Sequence, residues 1–137
     1  MPHFGAASLS NLSELHPKLK LLMEKAIQIF DFSIIEGHRT EEEQNRAYDH
    51  GKSKLRWPNS MHNAWPSRAT DIAPYPISWG NNAKDLARFY YLQGILKAVS
   101  YYENIKIRQG CDWDSDGLFA DQTFDDLPHI ELSSEEV

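Results

Sequence analysis

The chain has 137 residues, which fits one domain with one core, and apolar residues make up 41% of it. Fourteen Lys and Arg against twenty Asp and Glu give a net charge of −6, which argues against general binding along a nucleic-acid backbone. Cys111 is the only cysteine, so no intrachain disulfide forms, and the fold rests on its core and on any bound metal.

In chain order, residues 1–10 read as a loose arm. Leu12, Leu15, Leu19, Leu22, Ala26 and Ile29 recur at helical spacing, with Pro17 suited to a first turn, and predict a helix to about Phe30. Phe32 to Glu36 reads as a short buried strand. Thr40 followed by Glu43 is a capping-box signature, opening a helix that Gly51 closes. Residues 52–66 read as a polar loop. Ala69 to Ala73 alternates as a strand, with Ala69, Asp71 and Ala73 on one face. Leu86, Phe89, Leu92, Leu96 and Val99 form the apolar stripe of a helix from about Lys84 to Tyr102. Ile105–Ile107 and His129–Leu132 read as further strands. The order predicts one α+β domain over residues 1–137, a small antiparallel sheet with helices packed on one face.

No apolar run is long enough to cross a bilayer, and the N-terminus has neither a basic n-region nor an apolar h-region. The expectation is a protein made and kept in the cytoplasm, without stable membrane binding. If its substrate lies beyond the membrane, another protein must let it through.

The residues that carry chemistry are His62, Asp71 and His129, with Asp126 three positions before the last. Two imidazoles and one carboxylate can hold a zinc ion and leave its fourth position to water. A further carboxylate nearby can take a proton from that water. The same residue types also fit a surface-loop histidine, a turn aspartate and a satisfied strand histidine. Two details favour the metal. Asp71 sits among Ala69, Ile72 and Ala73, where a lone carboxylate would be costly to bury without a partner. His129 follows Pro128 at the start of an alternating strand, so its ring takes a definite face. Glu131 shares that face, either as support for a ligand or as a competing base. Asp125 is a second rival base, but on an extended chain it faces differently from Asp126.

These strings resemble the zinc peptidases of family M15. That family holds D-Ala-D-Ala dipeptidases and carboxypeptidases, and the L-alanyl-D-glutamate endopeptidases that serve as phage endolysins. Its pattern is S-x-H, then A-x-D, and late in the chain an acidic residue, two spacers and H-x-E. Ser60, His62, Ala69, Asp71, Asp126, His129 and Glu131 match it in order, and the upstream G-x-R is Gly37-His38-Arg39, with Gln44 five residues later. The loop between His62 and Asp71 departs from the common form: it is two residues longer and lacks the family's Gly. The resemblance implies a Hedgehog- or D-Ala-D-Ala-peptidase-like zinc fold, with one zinc on His62, Asp71 and His129. It implies Asp126 as general base, Arg39 on the scissile carbonyl or a substrate carboxylate, and Ser60 in a substrate subsite.

The implied function is an endolysin that cleaves the L-Ala-D-Glu bond of the peptidoglycan stem peptide. It would be a monomer without nucleic-acid partners, held in the host cytoplasm until a separate protein permeabilises the membrane. The alternatives are a D,D- or L,D-carboxypeptidase acting on the stem's free end and a non-catalytic wall-binding zinc module.

One further motif stands apart. Asp112-Trp113-Asp114-Ser115-Asp116-Gly117 has the D-x-D-x-D-G form of a calcium loop. Its twelfth position is Thr123 and not the bidentate Glu of a full EF-hand, which leaves Asp121 to supply an oxygen. The other reading is a solvated acidic turn.

Overall fold

The computed structural model describes residues 2–118 and 126–136. Helices α1 (Ala6–Leu12) and α2 (Pro17–Ala26) come first, then β1 (Phe32–Glu36), α3 (Glu41–Asp49), β2 (Ala69–Pro74), α4 (Ala83–Tyr102), β3 (Ile107–Gln109) and β4 (His129–Leu132). The strands form one sheet in the order β1-β2-β4-β3, antiparallel throughout, so the expected α+β class holds.

Register decides what each face carries. In β2 and β4, Asp71 pairs with His129, Thr70 with Ile130 and Ala69 with Glu131. Paired residues of an antiparallel ladder share a face, and neighbours along a strand alternate. Ile72, Ile130 and Leu132 therefore point one way, joining Phe32 and Ile34 against Leu19, Leu22 and Met23 of α2 and Leu92 and Leu96 of α4. Asp71, His129 and Glu131 point the other way, where a bulge in β1 brings Glu36 opposite Asp71. Helix α3 adds nothing to that core; its one buried side chain is Gln44.

The second half of the expected arm over residues 1–10 is instead the start of helix α1. Phe4 packs edge-on against Phe32 at 5.3 Å. Ser8 Oγ accepts from Ile34 N at 3.0 Å, and Asn11 Nδ2 donates to Ile34 O at 2.7 Å. Seven residues make only about two turns, too few to hold a helix alone, so contact with β1 stabilises this helix more than its own pattern does.

Helix α2 starts as expected, with Pro17 in its first turn and His16 Nδ1 accepting from Lys18 N at 3.1 Å. It ends at Ala26, before the expected Phe30; Ile29 is exposed and the chain turns into β1. The capping box at Thr40 and Glu43 forms, and Gly51 follows α3 at φ +73°. Strand β3 begins two residues later than expected. Ile105 is buried, but its N–H closes the end of α4 on Ser100 O, so pairing starts at Ile107.

Candidate metal centre and its cleft

His62 lies on a single 3-10 turn, Met61–Asn63, that Ser60 caps: Ser60 Oγ accepts from His62 N, and Asn63 Oδ1 accepts from Ser60 N. Its Nδ1 is 2.8 Å from Gly37 O. A carbonyl only accepts, so Nδ1 carries the hydrogen and Nε2 is left bare. That Nε2 points at Asp71 Oδ1, 3.5 Å away. From β4, His129 Nδ1 reaches the same oxygen at 3.3 Å, while its Nε2 lies 2.7 Å from Glu131 Oε1.

The three ligand atoms fall within 4.8 Å of one another. His62 Nε2 and Asp71 Oδ1 are buried without a hydrogen-bond partner. Leaving such groups unsatisfied costs about 1–3 kcal/mol each. A cation at their meeting point satisfies both, and two imidazoles with one carboxylate suit zinc. Both outer ring nitrogens are already fixed by oxygen acceptors, the usual support behind metal-bound histidines.

Charge is tightly balanced here. Burial opposes ionisation of Asp71, yet His129 and His62 outweigh it and hold the carboxyl well below its usual range. Burial also disfavours a charged His129, but Asp71 and Glu131 raise it to about 9. Asp126 is raised, by burial first and then by the charge of Asp71.

The turn into β4 carries Asp126: its N–H donates to Gly110 O, and its own carbonyl accepts from His129 N, both at 3.0 Å. Its carboxylate lies 4.0 Å from His129 Nδ1. Glu131 spends Oε1 on His129 Nε2, the nitrogen turned away from Asp71. Asp125 lies outside the described residues. Arg39 grips Glu36 with two nitrogens and stands 3.8 Å from Asp71 Oδ2. Ser60 is nearly buried and lines the cleft beside His62.

A family model described as phage L-alanyl-D-glutamate peptidase matches residues 2–133. The chain belongs to this family. The L-alanyl-D-glutamate peptidase of Escherichia phage T5 is 29% identical over 138 residues, spanning 94% of this chain and 96% of that protein. The crystal structure of the Serratia marcescens L-Ala D-Glu endopeptidase ChiX shares the fold, with a TM-score of 0.74 at 22% identity over 96% of this chain and 91% of that one.

In this phage peptidase the cluster opens onto a cleft of about 1300 Å³. Its lining includes Arg46 and Lys54, from α3 and the loop after it, and Arg108 and Trp113, from β3 and the acidic loop. Among the described residues no helix is long and apolar enough to cross a membrane.

The acidic loop folds as a second carboxylate cluster, with oxygens of Asp112, Asp114 and Asp116 within 4.8 Å of one another. Asp112 is buried; its Oδ2 accepts from Gly117 N at 2.8 Å and its Oδ1 has no partner. Gly117 takes φ +80°, as the sixth position of such a loop requires. Asp121 and Thr123 lie outside the described residues. The same loop touches the candidate metal centre directly: the Trp113 ring packs on His129 at 5.3 Å, and Arg108 Cζ lies over the Trp113 ring, 4.9 Å from its centroid.

Sequence reasoning named His62, Asp71 and His129, which the fold brings together, but not Glu36, Asn63, Gly110 or Trp113. Trp113 was visible only as a variable position inside the acidic motif. The others act through contacts that no local spacing announces.

Proposed function

We propose that this chain is a zinc-dependent endolysin, one M15-type catalytic domain over residues 1–137, that hydrolyses the L-Ala-D-Glu bond of the peptidoglycan stem peptide. One observation carries the reading: the bare His62 Nε2, Asp71 Oδ1 and His129 Nδ1 converge beside Asp126, in a family whose model bears that bond in its description.

His62, Asp71 and His129 would hold the ion. When bound, zinc supplies Lewis-acid polarisation and makes water a stronger acid. Asp126 receives the proton from the attacking water and returns it to the departing amine of D-glutamate. Its carboxyl is held above the ordinary range by burial and by Asp71, which suits a group that must both take and give. Gly37 O and Glu131 keep the two imidazoles in the tautomers that face the ion. Ser60 lines the substrate subsite next to His62. Arg46, Lys54 and Arg108 give the cleft cations that suit a substrate bearing carboxylates.

Asp112, Asp114 and Asp116 would bind calcium. A cation held there would neutralise three crowded carboxylates and fix the turn at Gly117. Trp113 packs on His129, so ordering this loop would hold that ring in place and make the enzyme responsive to calcium. The protein works as a monomer from the host cytoplasm, and a separate protein permeabilises the membrane to give it access to the wall.

The test is a digest of purified peptidoglycan by wild type and Asp126→Asn, read by mass spectrometry. Wild type is expected to expose new amino groups on D-Glu and leave the glycan uncut. The variant is expected to keep zinc and fold while losing on the order of 10²–10⁴ in rate. Release of free D-alanine alone would replace this reading with the carboxypeptidase one, and new reducing sugar ends would refute both. An Asp126→Asn enzyme near full activity would remove Asp126 as base.

A further inference from the structure

We propose that Arg39 is a positioning residue of the metal centre, fixing Asp71 with its side chain and the His62 turn with its backbone. The inference rests on the zinc reading above.

A guanidinium has five N–H donors. In Arg39, Nε donates to Glu36 Oε1 at 2.7 Å and Nη2 to Glu36 Oε2 at 2.9 Å, a two-point grip. Nη1 donates to Gln44 Oε1 at 2.8 Å. Gln44 is itself locked: it is fully buried and its Nε2 donates to Ser53 Oγ and Leu55 O. Nη2 also lies 3.8 Å from Asp71 Oδ2. The side chain keeps only 11% of its surface exposed. Three of the five N–H groups are thus held by Glu36 and Gln44, which anchor the fork from two sides and leave Nη2 beside Asp71.

What the arrangement does is distinguish the two oxygens of Asp71. Oδ2 faces the guanidinium, and Oδ1 is left toward His62 and His129. The backbone completes the frame. Arg39 N donates to His62 O at 2.9 Å, and Asn63 Nδ2 donates to Arg39 O at 3.0 Å. Two residues earlier, Gly37 O holds His62 Nδ1. Gly37 to Arg39 thus grips two ligands that are nine positions apart in sequence. This gives Gln44, which touches neither ligand, a reason to lie five residues after Arg39.

The test compares wild type, Arg39→Lys and Glu36→Gln. Zinc affinity is measured on the metal-free proteins by competition with a chromophoric chelator. Turnover of stem peptide is then measured at saturating zinc, and folding is followed by circular dichroism. Lysine keeps the charge but has no fork. Arg39→Lys is expected to bind zinc about 10–100-fold more weakly, the usual cost of losing a group behind a metal ligand, and to recover most of its kcat when zinc saturates. Glu36→Gln leaves the guanidinium but loosens its hold, so its zinc affinity falls too. Unchanged zinc affinity in both, with kcat down on the order of 10²–10³ at saturating zinc in Arg39→Lys, would place Arg39 on the substrate and overturn the proposal. If Arg39→Lys does not fold, a folded Glu36→Gln with wild-type zinc affinity overturns it equally. A wild type that binds no zinc sinks the zinc reading and this inference together; variants that match a zinc-binding wild type sink this inference alone.

Discussion

Gly110→Ala tests whether the placement of Asp126 is built into the backbone. Gly110 follows β3, and its φ is not positive, so alanine meets no conformational objection. The objection is space. A Cβ there would lie 2.8 Å from Asp126 Cβ and 2.9 Å from its carbonyl carbon, and would overlap its carbonyl oxygen. Backbone cannot yield as a flexible side-chain tip does, so the turn from Asp126 to His129 must move away. That movement strains three bonds: Asp126 N to Gly110 O, Gly110 N to His129 O, and His129 N to Asp126 O, each 3.0 Å. At about 1 kcal/mol for each bond, the expected loss of stability is roughly 2–3 kcal/mol. A base misplaced by about 1 Å can cost on the order of 10²-fold in rate. The assay is a urea melt with zinc present, beside kcat on stem peptide. A variant with the wild-type midpoint and a rate within a few-fold of wild type would refute the idea that close approach at Gly110 sets the base.

Two further outcomes are expected. His62→Ala removes a proposed ligand whose Nε2 is buried and bare, so zinc content, activity and stability should fall together; elemental analysis showing full zinc in that variant would end the ligand assignment. Calcium titrated against lytic rate at constant zinc should activate wild type and leave Asp114→Asn/Asp116→Asn flat; equal wild-type activity in calcium and in a calcium-selective chelator would reduce the acidic loop to a solvated turn.

The sequence carried what local rules control. Thr40 and Glu43 announced α3 because a capping box closes within four residues. His129–Leu132 matched its strand because Pro128 and the alternation after it leave few choices. Residue types and the cost of burying Asp71 suggested His62, Asp71 and His129 as a set, but only the family pattern tied them together, since the register that pairs Asp71 with His129 joins residues 58 positions apart. Helix α1 was hidden for the opposite reason: its pattern is weak and its stability comes from β1. Arg39 was legible as important, yet its surroundings were not. Glu36 and Gln44 lie on a strand and a helix either side of it, and only the fold turns both toward one guanidinium.

The contacts of α1 with Ile34 bear on how the protein behaves among its own copies. A border strand with unsatisfied amides and carbonyls is a template on which another chain can add itself. Ser8 and Asn11 consume both main-chain groups that Ile34 would offer on the outer side of β1. At the far border, β3 is three residues long and affords little length for pairing. The short N-terminal helix therefore acts as insulation: it terminates the ladder with side chains in place of a further strand. Removing the chain through Asn11 would uncover that border, and the penalty would appear as self-association.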